Sequence, residues 1–590
     1  MLLLALAAAP AAADPVPTLA PGALVPGQRA EVRTVFSGTA IESFEAEIVG
    51  VLRGGRAGGD MILARALTER VVRSGIAAGM SGSPVYVDGR LVGALSSGWP
   101  FTREPIFGIT PIGEMLDVLE HPQAEGGASA GPAGIARHAA ESRYRELAWP
   151  RGTPAPAAAP AREAADLAPA ALPLPLIGVG LAPDALPFVR QALDAHRLSV
   201  VPGGTGGGGN ADSLVPGAAV AVDIMRGDLL LSAIGTVTWR EDDRVLIFGH
   251  PFFQAGAVRL PLSTAEITTI VASDLNSFKL GVTGREVGMV DQDRRAAVAG
   301  RIGPRASLLP LRVTLRHPER ASQTFRFEMI EDRTIAPVLT TIAALNSLLE
   351  AGGTAGNQTI EWRLTLHRPG ATPFVLHDVV AGENPAVAAA QQAAQPLQYL
   401  FGNPFERLAL DSLALEIDVR AGRRTLTLEL ARLLTPYVRP GGLVRVRCVF
   451  EAWRGGGAGG ERTIELPVPR DLAPGRYEVW VGGGHELSAL AAQRRPAHFQ
   501  PASLDEAWRR LAELPPADGL HGLLIAKETE WSVDGREYPD LPASARALIA
   551  DAGRTGAREG AAWLAEARLP VDGRLTGQQM LSVTVEDRNP

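Results

Sequence analysis

The stretch Gly79-Met80-Ser81-Gly82-Ser83-Pro84 decides how this chain is read. Gly75-Ile76-Ala77-Ala78 precedes it, and Val85-Tyr86-Val87, Asp88-Gly89 and Leu91-Val92-Gly93-Ala94-Leu95 follow. Asp-Gly between β-forming residues is a strong two-residue turn signal, so the downstream half reads as a β-hairpin. Ser81 then sits on a glycine-flanked loop that leads into the hairpin. Small neighbours let a substrate backbone approach closely, and glycine reaches conformations closed to other residues. Such a turn can aim the N–H groups of Gly79 and Ser81 at one point, as an oxyanion hole requires. A Gly/Ser turn that only joins two strands carries the same letters, so the hexapeptide alone leaves both readings open.

The flanks add a further signal. Glu42-Ser43-Phe44-Glu45-Ala46-Glu47-Ile48-Val49, the Ile76–Pro84 segment, Val85 to Ala94 and Phe107-Gly108-Ile109-Thr110-Pro111-Ile112-Gly113-Glu114-Met115-Leu116 occur in that order. Together, from about Ile41 to Leu116, they resemble the C-terminal half of the stage IV sporulation protein B (SpoIVB) peptidase family, serine peptidases of roughly trypsin-like kind. The resemblance makes Ser81 the candidate nucleophile.

Composition sets the frame. With 590 residues the chain is long enough for several domains. A net charge of −7 and no long basic run argue against a nucleic-acid partner. The single cysteine, Cys448, excludes an internal disulfide and a cysteine-rich metal site. It lies in the alternating run Val444, Val446, Cys448, Phe450 and reads as a buried core thiol. Abundant glycine and proline, few aromatics and no long heptads point to a mainly β protein. No metal and no cofactor is expected.

In chain order, Met1 to Ala13 is apolar and ends Ala11-Ala12-Ala13 before Asp14. It is too short to span a bilayer and fits the apolar region and cleavage site of a secretory signal peptide. No other stretch reaches transmembrane length. The expectation is an exported protein, periplasmic, in the cell envelope or extracellular, with no integral membrane segment after signal removal. Residues 22–120 read as a serine half-barrel, with strands at Val32 to Phe36, Phe44 to Leu52 and Met61 to Leu67. Residues 121–172 are an Ala/Pro-rich linker with a short helix near Arg137 to Glu146.

Residues 173–304 read as a second β-rich unit. Within it, Gly235-Thr236-Val237-Thr238, a turn at Glu241-Asp242-Asp243, and Val245-Leu246-Ile247-Phe248-Gly249-His250-Pro251 resemble the histidine segment of the same family. There a strand pair leads into a Gly-His turn that carries the general base, which implies that role for His250. In the family the histidine half precedes the serine half; here Ser81 comes first. This implies a trypsin-like double β-barrel made of two permuted half-domains, joined by the linker. Triads on unrelated folds occur in different chain orders, so order alone does not argue against activity.

The family's acidic residue falls here on Ala66 to Thr68, which carry no carboxylate; Glu69 is nearest, and the histidine half offers Asp274, Asp291 and Asp293. Each of these also reads as an ordinary turn or surface acid, so the third residue stays open between them and a Ser–His dyad. The remaining histidines (His121, His138, His196, His317, His367, His377, His485, His498, His521) show no metal-ligand spacing. Beyond the resemblance, residues 305–407 read as an α+β region, 408–485 as a β-sandwich-like domain and 486–590 as a C-terminal region with one clear helix, Leu504 to Leu514. Two functions from different classes follow. One is an exported serine endopeptidase acting on protein or peptide substrates. The other is a catalytically inactive envelope protein that uses the same barrels for binding or as a scaffold.

Overall fold

Alternating burial builds the first barrel. In the computed structural model, β1 (Arg29–Val35) and β2 (Ile41–Arg56) are antiparallel, with Val32 opposite Phe44. Then come β3 (Gly59–Ala66), β4 (Pro84–Val87), β5 (Arg90–Gly98) and β6 (Ile106–Pro111). Their pairing order is β1-β2-β3-β6-β5-β4, and β4 pairs back onto β1 through Val32 and Val85, so the sheet closes. Inward residues fill it: Val32, Phe44, Ile48, Ile62, Val85, Leu95, Phe107 and Ile109 are all buried. Phe44 meets Phe36 and Phe107 edge-to-face at 6.3 Å, the geometry that aromatic quadrupoles favour. The hairpin turn forms as its sequence predicts. Asp88 and Gly89 both have positive φ, 49° and 72°, as a type I′ turn requires.

The description covers residues 16–122 and 170–586, except 57–58, 100–101, 103, 195, 197, 207–208, 274–275, 353–355, 456–458, 496–500, 534–535, 539–541, 543 and 546–556. The expected signal peptide, most of the linker and its helix, and Asp274 lie outside the described residues.

A second closed barrel follows: β7 (Ala219–Gly227), β8 (Leu230–Glu241), β9 (Arg244–Ile247), β10 (Gly256–Val271), β11 (Phe278–Asp293) and β12 (Val298–Ile302). Its order is β7-β8-β9-β12-β11-β10, with β10 pairing back onto β7. Strand for strand, this is the cyclic order of the first barrel. The connection from third to fourth strand carries Ser81 in one barrel and His250 in the other. An apolar cluster seals the two together: Tyr86, Leu91, Ala94, Ile112 and Met115 from the first meet Trp239, Leu246, Ala297 and Ala299 from the second. Both barrels belong to one compact unit, Met1–Ala130, Ala159–Leu181 and Leu186–Ser307.

The chain is mainly β, 52% strand against 19% helix. The second unit runs chiefly over Leu308–Pro590. There Leu309–His317 pairs with Arg320–Met329 and, in parallel, with Ser412–Ala421; the latter pairs with Asn357–His367, which in turn pairs with Phe374–Glu383. Helices Ile335–Glu350 and Ala386–Phe401 pack together beside these strands. Ser412–Ala421 thus completes the α+β sheet and does not open the sandwich at 408. The sandwich core takes Leu428, Val446, Cys448 and Ile464 from one sheet and Val479, Leu520, Leu524 and Val583 from the other. Its last strands lie beyond 485, because Gly519–Val533 and Gln578–Val585 pair with Gly475–Gly483. Burial pushes the Cys448 thiol up to about 12, which keeps it protonated in the core. Among the described residues no helix is long and apolar enough to cross a membrane.

The seam between the barrels tolerates no side chain at Gly82. Its φ is +91°, and a Cβ there would lie 2.0 Å from the Thr236 carbonyl oxygen and 2.6 Å from the Phe248 nitrogen. Gly82→Ala is expected to lower stability by at least about 3 kcal/mol in urea unfolding, since strain and a backbone clash combine. Gly89→Asn, at a positive φ with open space around it, should stay within about 1 kcal/mol.

Candidate active site

Two left-handed glycines, Gly79 at φ +92° and Gly82 at +91°, fold the serine loop. Its base is pinned to β11: Ala78 N–H donates to the Ser277 carbonyl at 2.7 Å, and Lys279 N–H donates to the Ala78 carbonyl at 2.9 Å. Within the loop, the N–H of Met80 goes to Ala77 O, that of Gly82 to Leu95 O and that of Ser83 to Met80 O. The N–H groups of Gly79 and Ser81 meet no acceptor among the described residues. They are the two donors that the sequence singles out. Ser81 is fully buried, and its Oγ has no hydrogen-bond partner among the described residues; the same holds for Ser83.

The β8 strand of the second barrel grips this loop. Thr236 N–H donates to Ser81 O at 2.9 Å, Thr236 Oγ1 to Gly79 O at 3.0 Å and Thr238 Oγ1 to Gly82 O at 2.7 Å. Thr236 O in turn accepts from Phe248 N–H at 3.4 Å, which ties the histidine turn to the same residue. Gly235 must lack a side chain, because a Cβ would sit 2.2 Å from the Phe248 ring. Gly249, at φ +68°, presses against Ala94, and its carbonyl accepts from Thr110 Oγ1 of β6 at 2.6 Å. The fold therefore brings the Ser81 loop and the His250 turn together.

His250 is 4% exposed, and its ring stacks on Phe248 with centroids 6.1 Å apart. Its Nδ1 lies 2.8 Å from the Pro251 carbonyl oxygen. A carbonyl can only accept, so Nδ1 carries the hydrogen and Nε2 is the basic nitrogen. No sequence signal marks that carbonyl.

The acids proposed from sequence occupy other positions. Glu69 pairs with Arg73 on an exposed helix, Glu69–Ser74. Asp291 pairs with Arg301 at 3.1 Å; burial pushes its carboxyl up and the guanidinium opposes this. Asp293 is fully buried and accepts the N–H groups of Phe252 and Phe253, both at 2.7 Å, and of Ala255 at 3.2 Å. It shapes the loop after His250. Burial raises its pKa, and the backbone donors pull the other way.

Sequence reasoning missed Lys279. It is 0% exposed on β11, and Nζ donates to Thr34 Oγ1 at 2.7 Å and Thr236 Oγ1 at 3.3 Å. Burial alone brings its amine down to about 7. A lysine in a strand ordinarily faces water, so its letter gives no hint. The one available signal is that its inward neighbours along the strand, Gly281 and Thr283, are small.

Residues 10–110 match the model of the family described as SpoIVB peptidase S55. Over that segment the chain is similar to the SpoIVB peptidase family. No curated protein and no solved structure matches it. The SpoIVB-type segment contains the whole Ser81 loop and ends within β6, so His250, Thr236 and Lys279 lie beyond it.

The buried amine makes a pH-dependent prediction. Its folded-state pKa of about 7 is below the 10.5 of a free lysine. Between these values the unfolded chain binds more protons, so stability rises with pH across this window; below it the cost of burying the charge is constant. The stability of Lys279→Met minus that of wild type should be most positive at pH 6 and shrink towards pH 10.5, measured by urea unfolding at both ends.

Proposed function

We propose that the double barrel is a serine endopeptidase in which Ser81 is the nucleophile and His250 the general base. One observation carries this reading. Ser81 and His250 occupy the same connection of two barrels with identical strand order, and Thr236 ties the two segments together. Ser81 Oγ attacks the scissile carbonyl carbon while His250 Nε2 takes its proton. The carbonyl oxygen, now negative, is held by the N–H groups of Gly79 and Ser81. His250 then protonates the leaving amine, and water, deprotonated by the same nitrogen, releases the acyl group and restores Ser81. The Pro251 carbonyl orients the imidazole where other enzymes use a carboxylate, so the pair works as a dyad.

The serine half-barrel precedes the histidine half-barrel in this chain, and we read the order as a circular permutation of the family arrangement. Export through the Met1–Ala13 signal would place its protein substrates in the envelope or outside the cell. The family match to the serine half supports peptidase chemistry in general. A second reading, an inactive envelope binding or scaffold protein, draws on the burial of Ser81 and His250, since a substrate must first displace what covers them.

A fluorophosphonate probe separates the two. The folded wild-type protein should be labelled, and Ser81→Ala should abolish labelling. His250→Ala should slow it by roughly 10² or more, because the members of such a unit act together. Glu69→Gln should leave the rate unchanged. Labelling that survives in Ser81→Ala would assign the chemistry to Ser83, and an inert wild type would favour the scaffold. Amino-terminal sequencing of protein from its own host should begin at Asp14; a retained Met1 would overturn the export reading.

A further inference from the structure

Lys279 is the most anomalous residue in the barrels. Lysine is almost never fully buried without a partner, and a buried charge with only neutral partners is costly. Asp223, buried in the second barrel, shows the usual solution: Arg226, Ser232 and Ser263 all donate to it. Among the described residues the Lys279 ammonium has only the hydroxyls of Thr34 and Thr236. A methionine would fill the same space without the charge. Groups held at such a cost cluster at functional sites, and this one lies directly beneath the serine loop.

We infer that Lys279 is the positioning residue of the oxyanion loop, holding both peptide planes that flank Gly79; this rests on the serine-peptidase reading above. Its backbone N–H takes the Ala78 carbonyl. In a trans peptide the C=O and N–H point opposite ways, so this bond turns the Gly79 N–H away from β11. Its side chain reaches the next plane through a relay. Nζ donates to Thr236 Oγ1, which donates to the Gly79 carbonyl. The aliphatic stem closes the remaining freedom, since a Cβ on Gly79 would lie 3.1 to 3.3 Å from three of its carbons. Glycine at φ +92° has no side chain to hold it, so the loop needs an external clamp. Lys279 is not the base: Ser81 Oγ has no hydrogen-bond partner among the described residues, and the amine is bonded to two threonines.

The test compares Lys279→Met, Thr236→Val and Thr236→Ser in the full chain. Saturation kinetics of fluorophosphonate labelling separate the maximal rate from probe affinity, and hydrogen exchange follows the Met80 and Gly82 amides. In Lys279→Met and Thr236→Val the maximal rate should fall roughly 10- to 100-fold with affinity within about threefold, as expected when oxyanion donors are misplaced. Loop amides should exchange about tenfold faster while other barrel amides stay unchanged. Thr236→Ser, which restores the hydroxyl, should recover most of the rate. A folded Lys279→Met with wild-type rate and loop exchange overturns the inference. If Lys279→Met does not fold, Thr236→Val decides on the same readouts. If wild type is never labelled, the peptidase reading fails, and loop exchange alone upholds or overturns the clamp.

Discussion

The site depends on one residue of the second barrel, Thr236. Its N–H and hydroxyl hold the carbonyls of Ser81 and Gly79, and its carbonyl accepts from Phe248. A main-chain hydrogen bond fixes direction as well as distance, so the serine loop and the histidine turn share one frame. Three glycines make this possible. A Cβ on Gly82 would strike the Thr236 and Phe248 backbone, one on Gly235 the Phe248 ring, and one on Gly249 the Ala94 side chain. Each missing side chain leaves room for a close approach, and together these set the seam and the histidine turn against it.

The repeated strand order makes the seam independent of which barrel comes first in the chain. Each barrel offers one third-to-fourth connection at the same place in its ring, and the seam joins two such connections. Exchanging the barrels along the chain leaves this geometry untouched, provided the link between them is long enough. Residues 123–169 lie between the two barrels in the sequence and supply that length. Geometry constrains the chemistry, and connectivity constrains only the linker.

Much of this was legible in the sequence. Asp88-Gly89 announced its hairpin, because few residue pairs reach two positive φ values in succession. The Gly79–Pro84 loop and the Gly249-His250 turn stood out through their resemblance to one peptidase family, since the hexapeptide alone also fits a plain turn. Lys279 was hidden, because a strand letter does not say which face is buried. The Pro251 carbonyl was hidden for a different reason: backbone acceptors have no letter. Sheet membership in the second unit was also beyond local pattern, since Gly475–Gly483 pairs with Gln578–Val585 across about a hundred residues. Period-two alternation identifies strands but not their distant partners.

Burial bears on why a backbone carbonyl, that of Pro251, stands at His250 Nδ1. His250 and Asp293 are both buried, and Asp293 binds the backbone just after the His250 turn. Among the described residues the donors to Asp293 are backbone N–H groups. Another charged acid beside the imidazole would need donors of its own, and none would come cheaply in a closed site. A carbonyl gives the ring its tautomer and orientation at no charge cost. In the proposed mechanism it would do less to stabilise the imidazolium formed as Ser81 gives up its proton, because a dipole attracts that cation more weakly than a full negative charge. A dyad of this kind therefore leans more heavily on its oxyanion donors. That is the physical reason why the placement of the Gly79 and Ser81 N–H groups, and whatever clamps them, should weigh more here than in a site with a complete triad.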